Sequence, residues 1–307
     1  MHRIEPCRFN ARHVESVRAK ADLMNMKANF PVTTRMPIYV LADGAQFPAE
    51  IAPLIAQAPA YRNVYEGMPE ERAEDASLFL ARIDDDPPEW MNRLDELDQK
   101  MPCISLIFSD ASIDALATHF QQFLLADLSE GLTSLVRYFD PRNIAVCIEL
   151  FGTEVSEQLI APIYQWRYRG HSRHWQCTGG GARYADMLKT PVDIRLNQRQ
   201  VDYLSAHSEP DQMLSSLIQR GFVDGSGFYV TRFENFIPRY RQVARWGLTA
   251  PQCRLRYCEL SYQYGFAFDQ HLHIRQALEA RMRSGAELVE CIDALPDYVW
   301  EELAAGR

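Results

Sequence analysis

A regular alternation of apolar and amphipathic runs between Pro37 and Trp166 constrains the fold more than any other feature of the sequence. Each apolar run has the length of one β-strand, and the run after it repeats its apolar residues at helical spacing. Such alternation is typical of an α/β sheet domain, so we expect a mixed sheet with flanking helices. The pairs are PIYVLAD with FPAEIAPLIAQ, SLFLARI with EWMNRLDELDQK, PCISLIFS with SIDALATHFQQFLL, and TSLVRYF with PRNIAVCIEL.

Beyond residue 189 the sequence reads as a succession of helices. Apolar residues recur there at helical spacing, and Gly or Pro separates one segment from the next. The preceding stretch, Arg167–Lys189, has no clear period, and its consecutive glycines, Gly179 to Gly181, suit a mobile connection. The sequence therefore predicts an N-terminal extension at 1–36, an α/β domain at 37–178, a hinge at 179–189 and a mainly α-helical domain at 190–307.

Charge and composition exclude several classes of partner. A chain of 307 residues that is 47% hydrophobic can form one large core or two smaller ones. Its net charge of -9 argues against a general affinity for nucleic acids or anionic membranes. The N-terminal residues lack a secretory signal pattern, no apolar run has the length of a membrane span, and the scattered cysteines suit reduced thiols. We expect a cytoplasmic protein that binds neither nucleic acid nor membrane.

Two sets of His and Cys residues are candidate metal ligands. His171, His174 and Cys177 follow one another at three-residue spacing, which would give three zinc ligands on a helix. Gly170 and the glycines after Cys177 argue against a helix there, so we expect no metal and no other cofactor. A zinc-dependent hydrolase or toxin that uses these three residues is kept as an alternative. The second set, whose spacing matches no common zinc pattern, is Cys253, Cys258, His271 and His273.

A second alternative is a winged-helix DNA-binding regulator. Residues 197–208 and 209–221 read as two helices, and residues 222–230 read as a small hairpin, which together give the outline of that motif. The second helix begins with an acidic residue and offers a single arginine, Arg220, to a DNA groove. Packing within the protein is therefore the favoured interpretation.

The stretch SLVRYFDPRN, residues 134–143, places two arginines inside an otherwise apolar run. If residues 133–139 form a strand, Arg137 lies between Leu135 and Phe139 on one face. A buried guanidinium must pair with a carboxylate, because an unpaired buried charge costs about 3–5 kcal/mol. Asp140 followed by Pro141 predicts the start of a helix, with an N-cap and then proline at the first helical position.

The second arginine of this stretch, Arg142, falls at the positive end of the predicted helix dipole and needs an anionic partner. One interpretation is that both arginines pair with acids of the chain and lock strand to helix. The other is that one of them contacts the carboxylates or carbonyls of a binding partner. We expect Arg137 and Asp140 to hold the corner, and Arg142 to be the arginine that reaches a partner.

Several stretches resemble motifs of one protein family, the bacterial type VI secretion effector chaperones, also called adaptor proteins. The resemblance is specific in RYFDPR and extends from about Pro37 to Trp166, in matching order and spacing. The stretches are YVLADGAQFP, YRNVYEGMPEE, LVRYFDPRN and APIYQW, and the motif residues among them are Asp43, Arg137, Tyr138, Asp140, Pro141, Arg142 and Trp166.

The resemblance implies a function as well as a fold. It implies a non-enzymatic chaperone that binds one toxic effector in the cytoplasm and promotes its loading onto the VgrG spike, without being secreted itself. The effector would carry a spike-tip or apolar N-terminal segment. In this family the helical C-terminal region is associated with the choice of cargo.

The predicted helical domain is rich in side chains that serve as interface anchors. Several arginines lie among the aromatic residues there, and arginine beside aromatic rings is the usual composition of a protein-protein hot spot. We therefore expect a groove for an apolar segment of the cargo, with Phe236, Tyr240 and Trp246 as candidate contacts. Other aromatic candidates are Tyr203, Phe222, Phe228, Tyr229, Phe233, Tyr257, Tyr262, Tyr264 and Phe266, and the arginines among them are Arg239, Arg241, Arg245 and Arg254.

Overall fold

The computed structural model of the chain describes residues 36–83, 88–128, 131–179 and 192–306. These residues form two compact units, divided between Leu204 and Ser205. The predicted N-terminal extension and hinge fall almost wholly outside the described residues and stay predictions. No helix in the described part of the chain is both long enough and apolar enough to cross a membrane.

The first unit is built on a sheet of six strands in the order β2-β3-β1-β4-β7-β8. Each neighbouring pair in this sheet is antiparallel, whereas the alternating sequence suggested a mixed sheet. A small separate sheet pairs β5 with β6. The strands are β1 (Ile38–Asp43), β2 (Tyr61–Asn63), β3 (Leu78–Ile83), β4 (Ile104–Phe108), β5 (Leu125–Asp127), β6 (Thr133–Leu135), β7 (Gln165–Tyr168) and β8 (Gln176–Thr178).

Helices cover both faces of the large sheet. Alternate residues of β1 enter opposite cores, with Tyr39 and Leu41 in one and Ile38, Val40 and Ala42 in the other. The first core is filled from α3, α4 and α5, and the second from α1 and α2. The helices are α1 (Pro48–Ile55), α2 (Glu89–Lys100), α3 (Ile113–Gln121), α4 (Ile144–Leu150) and α5 (Gly152–Ile160).

The predicted fold class, an α/β region followed by a helical one, is confirmed. The predicted strand over residues 133–139 is wrong after Leu135. The backbone N–H of Val136 still donates to the carbonyl of Leu124 at 2.7 Å, but residues 122 and 123 before Leu124 form a turn at the end of α3 and not a strand. Residues 137–139 therefore have no neighbouring strand to pair with, and the chain turns instead.

The predicted helix start at Asp140 and Pro141 is also wrong in its position, because α4 begins at Ile144. Residues 141–143 form a turn, in which the N–H groups of Asn143 and Ile144 both donate to the carbonyl of Asp140, at 2.8 and 3.2 Å. The Asp140 carboxylate accepts from the N–H of Arg142 at 3.0 Å. Asp140 thus caps this turn rather than the helix.

The second unit is helical, as predicted for the C-terminal region. Residues 198–219 form one helix and not two, because it continues through Pro210. Burial of Leu214 and Leu217 on this helix offsets the cost of an internal proline, about 3 kcal/mol. The helices from this point are α6 (Gln198–Gln219), α7 (Tyr229–Val243), α8 (Pro251–Tyr264), α9 (Leu272–Ser284), α10 (Leu288–Asp293) and α11 (Asp297–Ala305).

The winged-helix outline is contradicted by this arrangement. It required two short helices and a hairpin, but α6 is continuous and residues 220–228 form turns without a strand. The next element is another helix, α7. The second unit therefore lacks, in these residues, the elements that would present a recognition helix to DNA.

His119 makes the stability of the first unit depend on pH. It is buried beside Phe120 and Phe123, and its Nε2 contacts the carbonyl oxygen of Leu159 at 2.9 Å. Burial lowers the pKa of His119 to about 4, although the hydrogen bond to Leu159 opposes the shift. The unfolded chain therefore takes up a proton at higher pH than the folded chain does, and stability falls as the pH drops from about 6.5 towards 4.

We expect His119 to account for a loss of about 2 kcal/mol in the free energy of unfolding between pH 7 and pH 5. Urea denaturation at both pH values, on the natural chain and on His119→Gln, measures this contribution as the difference between their pH dependences. An identical pH dependence in the two proteins would show that His119 is not the titrating group.

Candidate functional site

Seven charged side chains gather where β1 ends, β4 begins and β7 ends. The backbone joins these strands at this point, since the N–H of Asp43 donates to the carbonyl of Cys103 at 2.8 Å. Gly170 follows β7 and lies against the turn after Asp140: an added Cβ there would be 2.8 Å from the carbonyl oxygen of Pro141. We call this cluster the charged end of the sheet, and it comprises Asp43, Asp95, Asp98, Arg137, Asp140, Arg142 and Arg169.

Asp43, the last residue of β1, is buried and pairs with Arg137. Its carboxylate also accepts from the N–H of Ala45 at 3.2 Å and from Nε2 of Gln46 at 2.9 Å, which fixes the turn after the strand. Burial raises the pKa of the Asp43 carboxyl; Arg137 opposes this shift and Asp140 adds to it. The pair thus joins the end of β1 to the turn that replaces the predicted strand.

Asp140 and Arg142 form a second, tighter pair. The guanidinium of Arg142 donates to both carboxylate oxygens of Asp140, from Nε at 2.9 Å and from Nη2 at 2.7 Å. Its Nη1 lies 3.4 Å from the sulfur of Met101, just before β4. Only 10% of the Arg142 side chain is exposed, against 35% for Arg137.

This geometry reverses the roles that the sequence suggested for the two arginines. Arg142 was expected to reach a partner, yet it is the more buried of the two arginines, and its carboxylate partner, Asp140, lies two residues before it in the chain. Arg137 was expected to be buried in a strand, but the strand ends before it and leaves its side chain partly exposed. The physical reason is the turn at Asp140, which directs Arg142 inward.

A third arginine, Arg169, was missed by the sequence analysis. It donates to Asp98 at 2.8 Å and to Asp95 at 2.5 Å, and it lies over the ring of Trp175 at 4.3 Å. Burial tends to lower the pKa of Arg169, but the two carboxylates outweigh this and raise it. The signal for this group is in α2, where both aspartates fall on the apolar stripe of the helix at positions that need a buried cation.

Two of the candidate motif residues, Tyr138 and Trp166, are core residues. The hydroxyl of Tyr138 donates to the carbonyl of Phe120 at 2.7 Å, and the indole N–H of Trp166 donates to Ser105 at 2.8 Å. Their rings meet edge to face, with centroids 6.2 Å apart. Both side chains are fully buried, so their role is to hold the turn against β4 and α3 and not to contact a partner.

In the second unit, the candidate contacts Phe236, Tyr240 and Trp246 are engaged within the unit. Phe236 is fully buried. Tyr240 donates to Glu209 at 2.8 Å, and the indole N–H of Trp246 donates to Asp269 at 2.8 Å. Burial of Phe236 and the two hydrogen bonds tie these side chains to the helices of the unit, while Tyr240 and Trp246 stay partly exposed.

Other large apolar side chains of this unit are exposed. Arg239 lies over the rings of Tyr262 and Phe266, at 4.5 and 5.4 Å, and donates to the backbone and side chain of Asn235. The arginine is thereby held between two helices in a fixed orientation. The exposed apolar residues of the unit are Phe228, Phe266, Leu272, Met282, Val289 and Tyr298.

The candidate metal ligands do not assemble. No three His, Cys, Asp or Glu side chains come together as metal ligands anywhere in the described ranges. His171 and His174 lie in turns, Cys177 lies in β8, and no helix brings them to one face. The zinc-dependent hydrolase therefore lacks the ligand geometry that it required.

Comparison with known proteins gives one match. Residues 38–158 match a family model described as a domain of unknown function, DUF4123. No curated protein and no solved structure matches the chain. The matched range runs from β1 into α5 and contains every member of the charged end of the sheet except Arg169. The α/β unit is thus similar to a family whose description states no function.

Proposed function

We propose that this chain is a chaperone, and not an enzyme, that binds a toxic effector of type VI secretion in the cytoplasm. It promotes the loading of the effector onto the VgrG spike and is not itself secreted. The proposal rests on the resemblance of four stretches of the sequence to motifs of the effector chaperones. The match of the same region to a domain of unknown function is compatible with it.

The observation that carries the proposal is the convergence of these four stretches on one turn. Asp43 of YVLADGAQFP pairs with Arg137 of LVRYFDPRN. The ring of Tyr65, from YRNVYEGMPEE, meets Phe139 edge to face at 6.4 Å. The ring of Trp166, from APIYQW, meets the ring of Tyr138 edge to face. Residues far apart in sequence thus depend on one another, as expected of a motif that belongs to a single folded unit.

Cargo choice in this proposal belongs to the helical unit. Phe236, one of the aromatic residues first assigned to contacts, is buried in the core of this unit, whereas Phe228 and Phe266 are 58% and 46% exposed. Phe266 lies beside a guanidinium already held in place, and arginine beside aromatic rings is a frequent composition of interface hot spots. The net charge of -9 disfavours a polynucleotide on this surface, so an apolar segment of the effector is the better partner.

Deletion of the gene in the producing bacterium tests the function. We expect the effector to become less abundant or less soluble in the cell and to be lost from the secreted fraction. The gene supplied in trans should restore both, while the amount of VgrG stays constant throughout as the control. Unchanged abundance and secretion of the effector in the deletion strain would contradict the proposal.

A further inference from the structure

We infer that Arg137 donates hydrogen bonds to a main-chain carbonyl of the bound effector. This inference rests on the proposed function and assigns a contact that the sequence had given to Arg142. It starts from the hydrogen-bonding capacity of the three arginines at the charged end of the sheet. A guanidinium carries five N–H donors in a rigid plane.

Two of the three arginines use their donors within the chain. Arg142 binds both oxygens of one carboxylate, and Arg169 bridges two carboxylates. Arg137 binds Asp43 through Nη2 alone, and the same atom is 3.9 Å from Asp140. Within the described part of the chain, its Nε and Nη1 have no hydrogen-bond partner. The 35% exposure of this side chain makes that free edge accessible.

The free edge of Arg137 is also held in place before any partner arrives. Asp43 anchors one end of the guanidinium, and the guanidinium carbon lies 5.5 Å from the centroid of the Phe139 ring. The side chain amide of Asn143 donates to the backbone carbonyl of Arg137 at 3.4 Å. A donor fixed in this way loses little conformational entropy on binding, which favours a specific contact.

The charges around Arg137 favour a neutral acceptor over a carboxylate. Asp43 and Asp140 already balance the two arginines of the turn. Glu70 adds a further negative charge nearby. Burial raises the pKa of the Tyr65 hydroxyl most, the charges of Asp43 and Glu70 raise it further, and the charge of Arg137 lowers it, so all three charges lie around the same residue. A carboxylate of the effector would meet this excess of negative charge, whereas a peptide carbonyl accepts the same hydrogen bonds without repulsion.

Arg137→Lys separates this contact from the structural role of the residue. Lysine keeps a positive charge for Asp43 but lacks the planar set of donors. We expect the dissociation constant for the effector to rise about 10- to 100-fold, which corresponds to the loss of a hydrogen bond from a charged donor. The melting temperature should stay close to that of the natural protein. Arg62→Lys is the matched control, because Arg62 is similarly exposed and is paired with Asp114. The affinity of this control variant for the effector should not change.

Calorimetric titration of each full-length variant with the purified effector, at low and at high salt, gives the decisive ratios. Arg137→Gln, which removes the charge, is titrated as a third variant: a neutral acceptor predicts that the ratio of dissociation constants between Arg137→Gln and the natural protein is the same at both salt concentrations. A ratio that collapses at high salt would overturn the carbonyl contact in favour of a carboxylate. Equal affinity of Arg137→Lys and the natural protein for the effector would overturn the inference and leave the proposed function standing. Absence of binding by the natural protein would overturn both.

Discussion

Replacing Arg142 with alanine is expected to lower the free energy of unfolding by about 3–5 kcal/mol, because it leaves a buried carboxylate without its cation. The lost partner is the bidentate guanidinium at 2.7 and 2.9 Å from Asp140. The Asp140 carboxylate would keep the N–H of residue 142 and a distant contact with Arg137, at 3.9 Å. Neither replaces the missing charge, so the turn before α4 should become unstable.

Urea denaturation of Arg142→Ala and Arg137→Ala side by side measures this difference. Arg137 has the more exposed side chain, and without it the Asp43 carboxylate still accepts from the N–H of Ala45 and from Nε2 of Gln46, so the second variant should lose less stability. A loss below about 1 kcal/mol for Arg142→Ala would place its pair with Asp140 in the range of surface ion pairs and contradict the assignment.

Replacing Arg169 with alanine is expected to cost about 3–5 kcal/mol as well, because two buried carboxylates lose the cation between them. Asp98 is buried in full and also accepts from the N–H groups of Cys103 and Ile104, at 2.8 and 3.0 Å. The variant therefore disturbs the start of β4 in addition to the ion pairs. It also removes the contact with the ring of Trp175.

Arg93→Ala is the matched control for Arg169→Ala. Arg93 pairs with Glu96 and Glu50, but all three side chains are about half exposed. Such a surface network contributes little to stability, because solvent screens the exposed charges. Thermal or urea unfolding of the two variants should therefore differ by several fold in the loss of stability. Equal losses of stability in the two variants would mean that the buried ion pairs of Arg169 stabilise the protein no more than surface ion pairs do.

The long strands and helices of the first unit could be predicted from the sequence, because their apolar residues follow one period over many positions. Residues 38–43 are apolar up to Asp43, and residues 104–108 are apolar throughout. The short strands could not be predicted in this way. Residues 165–168 and 176–178 form strands only because β4 is available as a neighbour for the first of them. A pairing of three or four residues leaves no readable period.

The sequence predicted several residues of the candidate site but not their geometry. The sequence indicated that Arg137, Asp140 and Arg142 act together, and they do belong to one charged cluster. Which arginine is the more buried depends on where β6 ends, and β6 ends at Leu135 because its partner β5 begins only at Leu125. Burial of Phe236 likewise depends on the helices that pack around α7, which its own sequence does not specify.

Co-expression of this chain with the proposed type VI effector, followed by a measurement of the mass of the purified species, tests the central claim most directly. The account predicts a stable complex with a fixed ratio of the two chains. Moderate salt should not dissociate the complex, because the contact is largely apolar. The effector expressed alone should be less soluble. An effector that is equally soluble alone, and that separates from this chain as an independent species, would contradict the account.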